Sequence, residues 1–303
     1  MDHHDNHTHG HSLADDLPLI DAMIARRRAL KWFIGAGSAA LVAGCGGSGA
    51  DDVDVITGAA ATATPTPTAT PTPTATAGPL ATTAACIADP TETGGPYPAD
   101  GTNTSGGASS NVLTVNGIVR SDIRASFIST TTVATDVQMT LTLTLVDVNA
   151  SCAPLAGFAI YLWQCDRNGH YSLYSGATAE SYLRGVQVTD ANGQVSFTTI
   201  FPACYDGRWP HLHFEIFSSL GNALGGRYAV LTSQLALPAD WCATVYADTS
   251  TYPSSSGNFA RVSLASDMVF GDNSDAQLAQ QTPAVTGTVA TGLVATAVIG
   301  IAR

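Results

Sequence analysis

The sequence is poor in charge and nearly devoid of lysine. Charged residues make up 12% of the 303 positions, and Lys31 is the one lysine. Acidic side chains outnumber basic ones, so the net charge is −12 at pH 7, which argues against a nucleic-acid partner. The longest apolar runs are too short to span a membrane as a helix. No Cys-x-x-Cys spacing predicts a structural zinc site.

The first 45 residues instead have the pattern of an export leader. Three arginines, starting at Arg26, precede an apolar run from Trp32 that has the length of a signal-peptide core. The paired arginines resemble a twin-arginine signal. The run ends in "LVAGC", which resembles a lipobox with Cys45 as the lipid-bearing residue. We expect an exported protein, periplasmic or at the cell surface, with a lipid anchor on Cys45. A plain signal peptide or a short anchor helix is the alternative.

Composition divides the chain into three parts. Residues 1–45 are the predicted leader, and residues 46–85 are a predicted disordered linker rich in Thr, Pro and Ala. Such a tract has little to bury, and its prolines favour an extended conformation. Residues 86–303 are then one folded domain, which the linker would hold away from a membrane.

The domain has the periodicity of β-strands. Residues 137–147, "VQMTLTLTLVD", alternate strictly between apolar and polar side chains. No segment holds a helical period for more than two turns. Long irregular connections favour an all-β sandwich of mixed and antiparallel strands over a closed barrel. Further strands are predicted in "GFAIYLWQ", "GQVSFTTIF", "HLHFEIF" and "GLVATAVIGIA".

The domain also contains an odd number of cysteines. An exported location permits disulfides, and five cysteines allow at most two bridges. Their pairing cannot be assigned from the sequence. The five are Cys86, Cys152, Cys165, Cys204 and Cys242.

Two of the three histidines that follow the leader share one predicted strand. In "GRWPHLHFEIF" (207–217), His211 and His213 stand two residues apart, so both side chains point to the same face. Two imidazoles at this spacing can converge on one metal ion. By itself the pair is a weak signal, and a solvent-exposed polar face is the more ordinary explanation.

Two tyrosines upstream strengthen the metal interpretation. Tyr171 follows an Asn-Gly turn, and Tyr205 lies in the loop that leads into the histidine strand. Phenolate is a hard anionic donor and imidazole a borderline one, so this set favours ferric iron over zinc or cuprous copper. A zinc or copper hydrolase or oxidase is a weaker interpretation, because no carboxylate or thiolate occupies these positions.

At this point the chain resembles a known family, the intradiol ring-cleavage dioxygenases of catechol and protocatechuate breakdown. The resemblance covers residues 86–217 well and is weak beyond them. One departure is Gly-Gly-Pro-Tyr-Pro, where relatives often have Glu-Gly-Pro-Tyr-Tyr. The resembling stretches are "TETGGPYPADG", "YLWQCDRNGHYS", "YLRGVQVTDANGQVSFTTIFPACY" and "GRWPHLHF".

The resemblance implies roles for individual residues. Arg208 would face the substrate and stabilise its developing charge, and Gln234 loosely matches a glutamine of the same pocket. Tyr205 would be the ligand that the substrate displaces. The implied ligands of Fe(III) are Tyr171, Tyr205, His211 and His213.

The implied reaction is cleavage of a catechol-type ring by O₂ between its two hydroxyl-bearing carbons, which gives a muconate-type diacid. The scarcity of cationic residues favours neutral or alkylated catechols. The alternative function is a non-catalytic cell-surface β-sandwich that binds a phenolic ligand, a sugar or another protein. Such a module has no need for this donor set, which favours the enzyme.

Two further expectations concern the surroundings of the tyrosines. Cys165 and Cys204 each lie within six residues of a predicted ligand, so a disulfide between them would brace the site. Buried thiols are the alternative. Arg184 is expected to pair with a carboxylate rather than with substrate.

Overall fold

The computed structural model describes residues 86–174, 176–226 and 228–303. The predicted leader and linker, with Cys45, lie outside these residues. The described chain forms eleven β-strands and four short α-helices. None of these helices is long and apolar enough to cross a membrane. The strands are β1 (Asp100–Ser105), β2 (Ala108–Asn111), β3 (Gln138–Asp147), β4 (Ala153–Pro154), β5 (Ala159–Trp163), β6 (Arg184–Val188), β7 (Gln194–Ile200), β8 (His211–Phe217), β9 (Leu231–Ala236), β10 (Ala284–Thr288) and β11 (Gly292–Ile301). The helices are α1 (Leu220–Leu224), α2 (Ala239–Val245), α3 (Ser255–Phe259) and α4 (Asp275–Gln281).

Two sheets and a separate hairpin make up the strand architecture. The first sheet has the order β10-β11-β3-β4, and β7 also pairs with β3; the second has the order β6-β5-β8-β9. Strands β1 and β2 form the hairpin. Strand β11 runs parallel to β3, and the other pairs are antiparallel. The all-β sandwich of mixed strands that the sequence predicts is confirmed.

Alternation places apolar side chains of both sheets in one core. On β8, Leu212, Phe214 and Ile216 are fully buried. They belong to the same hydrophobic cluster as the apolar row of β3. Burial of each such side chain contributes roughly 1.5–3 kcal/mol. The β3 row consists of Met139, Leu141, Leu143 and Leu145.

Strand β8 is central in the second sheet, and its pairing register sets the neighbours of its polar face. His213 lies opposite Trp163 of β5 on one side and opposite Gln234 of β9 on the other. The indole of Trp163 stacks on the imidazole of His213 with ring centroids 4.9 Å apart. All seven residues of β8 are buried, so both faces of this strand are covered.

One disulfide is present among the described residues, and it joins Cys86 to Cys152. Of the two alternatives for Cys165 and Cys204, the buried thiols are confirmed and the bridge is not, because both residues are buried free thiols. Their sulfur atoms approach backbone carbonyls instead, at 3.7 Å for Cys165 and 3.5 Å for Cys204. Cys242 is the third buried thiol.

Candidate metal centre

The two histidines of β8 are buried, and their ring nitrogens face each other. The Nε2 atoms of His211 and His213 lie 3.1 Å apart. Nδ1 of His211 is 2.6 Å from the carbonyl oxygen of Trp209, so this nitrogen carries the proton and donates it. Nε2 of His211 is therefore the lone-pair nitrogen. The alternative of a solvent-exposed histidine face is wrong, since the side chains are 2% and 3% exposed.

The two tyrosines complete a cluster of four donor atoms. The hydroxyl of Tyr171 lies 3.1 Å from Nε2 of His213 and 3.3 Å from Nε2 of His211. The hydroxyl of Tyr205 lies 3.3 Å from Nε2 of His211. Tyr171 is buried, whereas Tyr205 is half-buried. The structure thus brings together the four residues that the sequence predicts as ligands.

A turn built around a carboxylate delivers Tyr171 to this cluster. Oδ1 of Asp166 accepts hydrogen bonds from the backbone N–H groups two and four residues later, a pattern typical of Asx turns. Gly169 completes the turn with φ of +86°, a conformation that favours glycine. A Cβ atom there would come within 3.0 Å of Cβ of Tyr205. The glycine therefore lets the two tyrosine-bearing loops pack together.

Residues 91–98, called the cover segment below, lie against the cluster. The ring of Tyr97 is 5.0 Å from that of Tyr171. Gly95 has φ of +68°, and a Cβ atom there would lie 3.4 Å from Cε1 of His213. The glycine of the "GGPYP" stretch thus allows the backbone to pass close to an imidazole.

Arg184 anchors the cover segment. Its side chain is fully buried. The expected carboxylate partner is wrong, because neutral oxygens satisfy the guanidinium. It donates hydrogen bonds to the hydroxyls of Ser172 and Tyr161 and to the carbonyls of Tyr97, Pro98 and Ser172.

Arg208 is buried between β9 and the loop that precedes α4. Its Nε donates to Oδ2 of Asp267 at 2.9 Å, and its Nη2 donates to Oε1 of Gln234 at 2.8 Å. The amide group of Gln234 in turn donates to the carbonyl of Thr93 in the cover segment. Both predicted pocket residues, Arg208 and Gln234, therefore lie in one hydrogen-bonded chain beside β8.

Sequence reasoning missed Asp267. It lies 59 residues beyond Arg208, and no motif or periodicity joins the two positions. The one local signal is a serine-capped turn at Leu264–Ser266. That signal predicts an ordered loop but not what the loop contacts.

Burial controls the protonation states in the cluster. Burial is the main cause that raises the pKa of Tyr171 well above 10, and the neighbouring Tyr205 is the second cause. Burial is the main cause that lowers the pKa of His211 to about 3, and the positive charge of Arg208 is the second cause. Burial and the neighbouring His211 hold the pKa of His213 well below 6.5. Both imidazoles are therefore neutral near pH 7, the form that binds metals. A bound cation would favour the phenolate form of the tyrosines.

The donor set fits a ferric ion. Among the described residues, no group of three or more His, Cys, Asp and Glu side chains could hold a metal, so a site here depends on the tyrosines. The lone pair of His211 Nε2 faces His213 Nε2 at 3.1 Å, a contact that a shared cation would favour. Two phenol oxygens supply the hard donors that ferric iron prefers. The assignment of the ligands remains a prediction.

Comparison with known proteins relates part of the chain to a dioxygenase family. Residues 121–244 match the model of the family described as Dioxygenase. An intradiol ring-cleavage dioxygenase from Tetranychus urticae is 24% identical over 72% of this chain and 95% of its own, with a TM-score of 0.52. A catechol 1,2-dioxygenase from Pseudomonas arvilla C-1 is 18% identical over 70% of this chain and 61% of its own, with a TM-score of 0.41.

The T. urticae structure shares the fold of this chain, whereas a TM-score of 0.41 does not establish a shared fold. The family match and the fold confirm the resemblance found in the sequence. Residues 121–244 match the dioxygenase family model, and the described chain has the fold of an intradiol ring-cleavage dioxygenase. The matched region, 121–244, contains the four predicted ligands, Arg208 and Gln234, but it ends before Asp267.

Proposed function

We propose that this protein is an Fe(III)-dependent dioxygenase that cleaves a catechol-type ring between its two hydroxyl-bearing carbons. O₂ is the second substrate, and a muconate-type diacid is the product. The observation that carries the proposal is the convergence of two buried imidazoles and two phenols. The family match supports the coarser class of dioxygenase.

The four clustered side chains would hold the iron. When bound, a ferric ion acts as a Lewis acid that activates the catechol toward O₂. The hydrogen bond from Nδ1 of His211 to Trp209 fixes that ring with Nε2 toward the cluster. Tyr205 is the ligand that we expect substrate to replace, because its side chain is half-buried. Tyr171, which is buried, would stay in place.

Arg208 would stabilise negative charge on the bound catechol. Its guanidinium is held by Asp267 and Gln234 before any substrate arrives, so little reorganisation is needed. Gln234 also ties the guanidinium to the cover segment through Thr93. A buried N–H donor acts more strongly on charge than one in water.

Iron content and product analysis test this function. The purified full-length chain should contain stoichiometric iron and show a visible tyrosinate-to-iron charge-transfer band. With a panel of catechols under ¹⁸O₂, mass spectrometry should find both labelled atoms in one muconate-type diacid. A colourless protein that takes up no ferric iron would contradict the metal assignment. An extradiol product would contradict the reaction, and ligand binding without O₂ uptake would favour the non-catalytic binding module.

We also propose that the protein acts outside the cytoplasm, anchored through Cys45. The disulfide between Cys86 and Cys152 supports this proposal, because disulfides persist mainly in oxidising compartments. Mass spectrometry of the mature N-terminus should find a lipid on Cys45. The Cys45→Ala variant should leave the membrane fraction, and an unmodified Cys45 in the mature wild-type chain would contradict the anchor.

A further inference from the structure

We propose that Asp267 sets the substrate class of this site by cancelling the charge of Arg208, which suits the pocket to uncharged catechols. The inference rests on the proposed function and deepens it. Asp267 lies outside the region that matches the family model, which ends at residue 244.

The ion pair between the two residues is close and buried. Nε of Arg208 lies 2.9 Å from Oδ2 of Asp267, and Nη2 lies 3.4 Å from Oδ1. The side chains are 3% and 0% exposed. A pair so far from water is screened little by solvent or salt. The guanidinium therefore keeps its directional N–H donors but contributes little net charge to the pocket.

The carboxylate is held in place independently of Arg208. Asp267 also accepts hydrogen bonds from the backbone N–H groups of Trp209 at 2.7 Å, Val269 at 2.9 Å and Phe270 at 3.1 Å. The carbonyl of Trp209 accepts the hydrogen bond from His211. Asp267 is thus bonded both to the arginine and to the backbone N–H of Trp209, the residue whose carbonyl orients one predicted ligand.

The other described arginines near the cluster are already engaged by groups of the protein. The hydrogen bonds of Arg184 go to carbonyls and hydroxyls of the protein. Arg167 and Arg261 line the cavity beside Tyr205, and they pair with Asp136 and Asp206.

By contrast, Nη1 of Arg208 makes no hydrogen bond to a described residue. We expect this atom to donate to the oxygens of a bound catechol. A substrate therefore finds a directional donor at Arg208, but a carboxylate substituent finds no described arginine near the cluster that is both uncompensated and free to donate.

The test compares catechol with 3,4-dihydroxybenzoate, which carries one additional negative charge. The dissociation constant of each is measured from the shift of the charge-transfer band, and kcat/KM from O₂ uptake. We expect the wild-type protein to prefer catechol. In Asp267→Asn, the preference should move toward 3,4-dihydroxybenzoate by roughly tenfold, because one unit charge becomes uncompensated. If Asp267→Asn only disturbed the structure, it would weaken the binding of both compounds equally.

Two sets of variants serve as controls. Asp272→Asn removes an exposed carboxylate from the same loop and should leave the ratio unchanged. Arg208→Gln leaves Asp267 uncompensated and should move the preference further toward catechol. The double variant Arg208→Gln/Asp267→Asn should return the ratio to near the wild-type value. If Asp267→Asn does not fold, Arg208→Gln and the double variant still show whether the charge of Asp267 affects the preference.

Three outcomes would overturn the inference. They are a wild-type preference for 3,4-dihydroxybenzoate, an unchanged ratio in folded Asp267→Asn, and a double variant whose ratio does not return. Failure of the proposed function is distinguishable from these outcomes. It would appear as iron-loaded wild-type protein that responds to neither compound and takes up no O₂, and this would remove the basis of the inference as well.

Discussion

The two faces of β8 are equally buried, but different parts of the chain cover them. On one face, Leu212 and Phe214 pack in the core that the two sheets share. On the other, His211 and His213 contact tyrosines delivered by separate loops. Packing in the core is non-directional, whereas the polar face depends on the distances between four particular atoms. The comparison shows that alternation decides which side chains leave the surface, and that the loops decide what a buried polar face can do.

Removal of one donor from the polar face should have the largest effect. His213→Ala should lose its iron and reduce catechol-dependent O₂ uptake by more than roughly 100-fold, because loss of outer-shell partners alone costs 10–100-fold. Metal analysis and an oxygen electrode measure both effects. His170→Ala is the matched control, since it removes a histidine that is not one of the four donors. Wild-type iron content in His213→Ala would contradict the site.

The matching change on the apolar face should reduce stability and not chemistry. Phe214→Ala removes a fully buried ring and should lower the free energy of unfolding by about 3–5 kcal/mol. Urea unfolding measures this change, and the folded fraction should still bind iron. Ile128→Ala, at a side chain that is 44% exposed, should change stability by less than about 0.5 kcal/mol. Equal losses in the two variants would contradict the assigned core.

The disulfide between Cys86 and Cys152 crosslinks the start of the domain, just before the cover segment. Its removal measures how much this crosslink contributes to stability. The double variant Cys86→Ser/Cys152→Ser opens a crosslink between residues 66 positions apart. It should lower the free energy of unfolding by about 2–4 kcal/mol, since the unfolded chain gains freedom. A reducing agent should destabilise the wild type and have no effect on the variant. Equal sensitivity of both proteins would contradict the bridge.

Asp89 is a buried carboxylate outside the donor cluster, and its ionisation should make the stability of the protein depend on pH. Its Oδ2 accepts a hydrogen bond from the backbone N–H of Gly300, and its Oδ1 has no partner among the described residues. Burial raises the pKa of Asp89 from 3.8 to about 7. The folded protein therefore holds this proton more tightly than the unfolded chain does. This contribution to stability is complete below about pH 4 and is lost as the pH rises to about 7.

Asp89→Asn should remove this dependence on pH. Its stability relative to the wild type should rise by roughly 2–4 kcal/mol between pH 4 and pH 7.5. Urea unfolding at the two pH values measures the change, with Asp272→Asn as an exposed control. A constant difference between the variant and the wild type would show that Asp89 is ionised throughout.

The strands with strict alternation could be predicted from the sequence. The strand at 137–147 and the apolar residues of β8 are confirmed, as is the last strand, β11. Pairing of Cys86 with Cys152 could not be predicted, because chain spacing permits every combination. The partners of Arg184 and Arg208 could not be predicted either, since each contact joins segments far apart in the chain. Asp267 belongs to no pattern that sequence periodicity can detect.

The sequence by itself determined the all-β class and the buried apolar rows, and it supplied the four candidate donors. These properties depend on side-chain chemistry and on a period of two residues, which are local features. Only the tertiary structure decided that the histidine face is buried, that Tyr171 and Tyr205 meet it, and that Asp267 faces Arg208. These contacts arise where loops of the folded chain cross the sheet, and the geometry of such crossings is not encoded in any single segment.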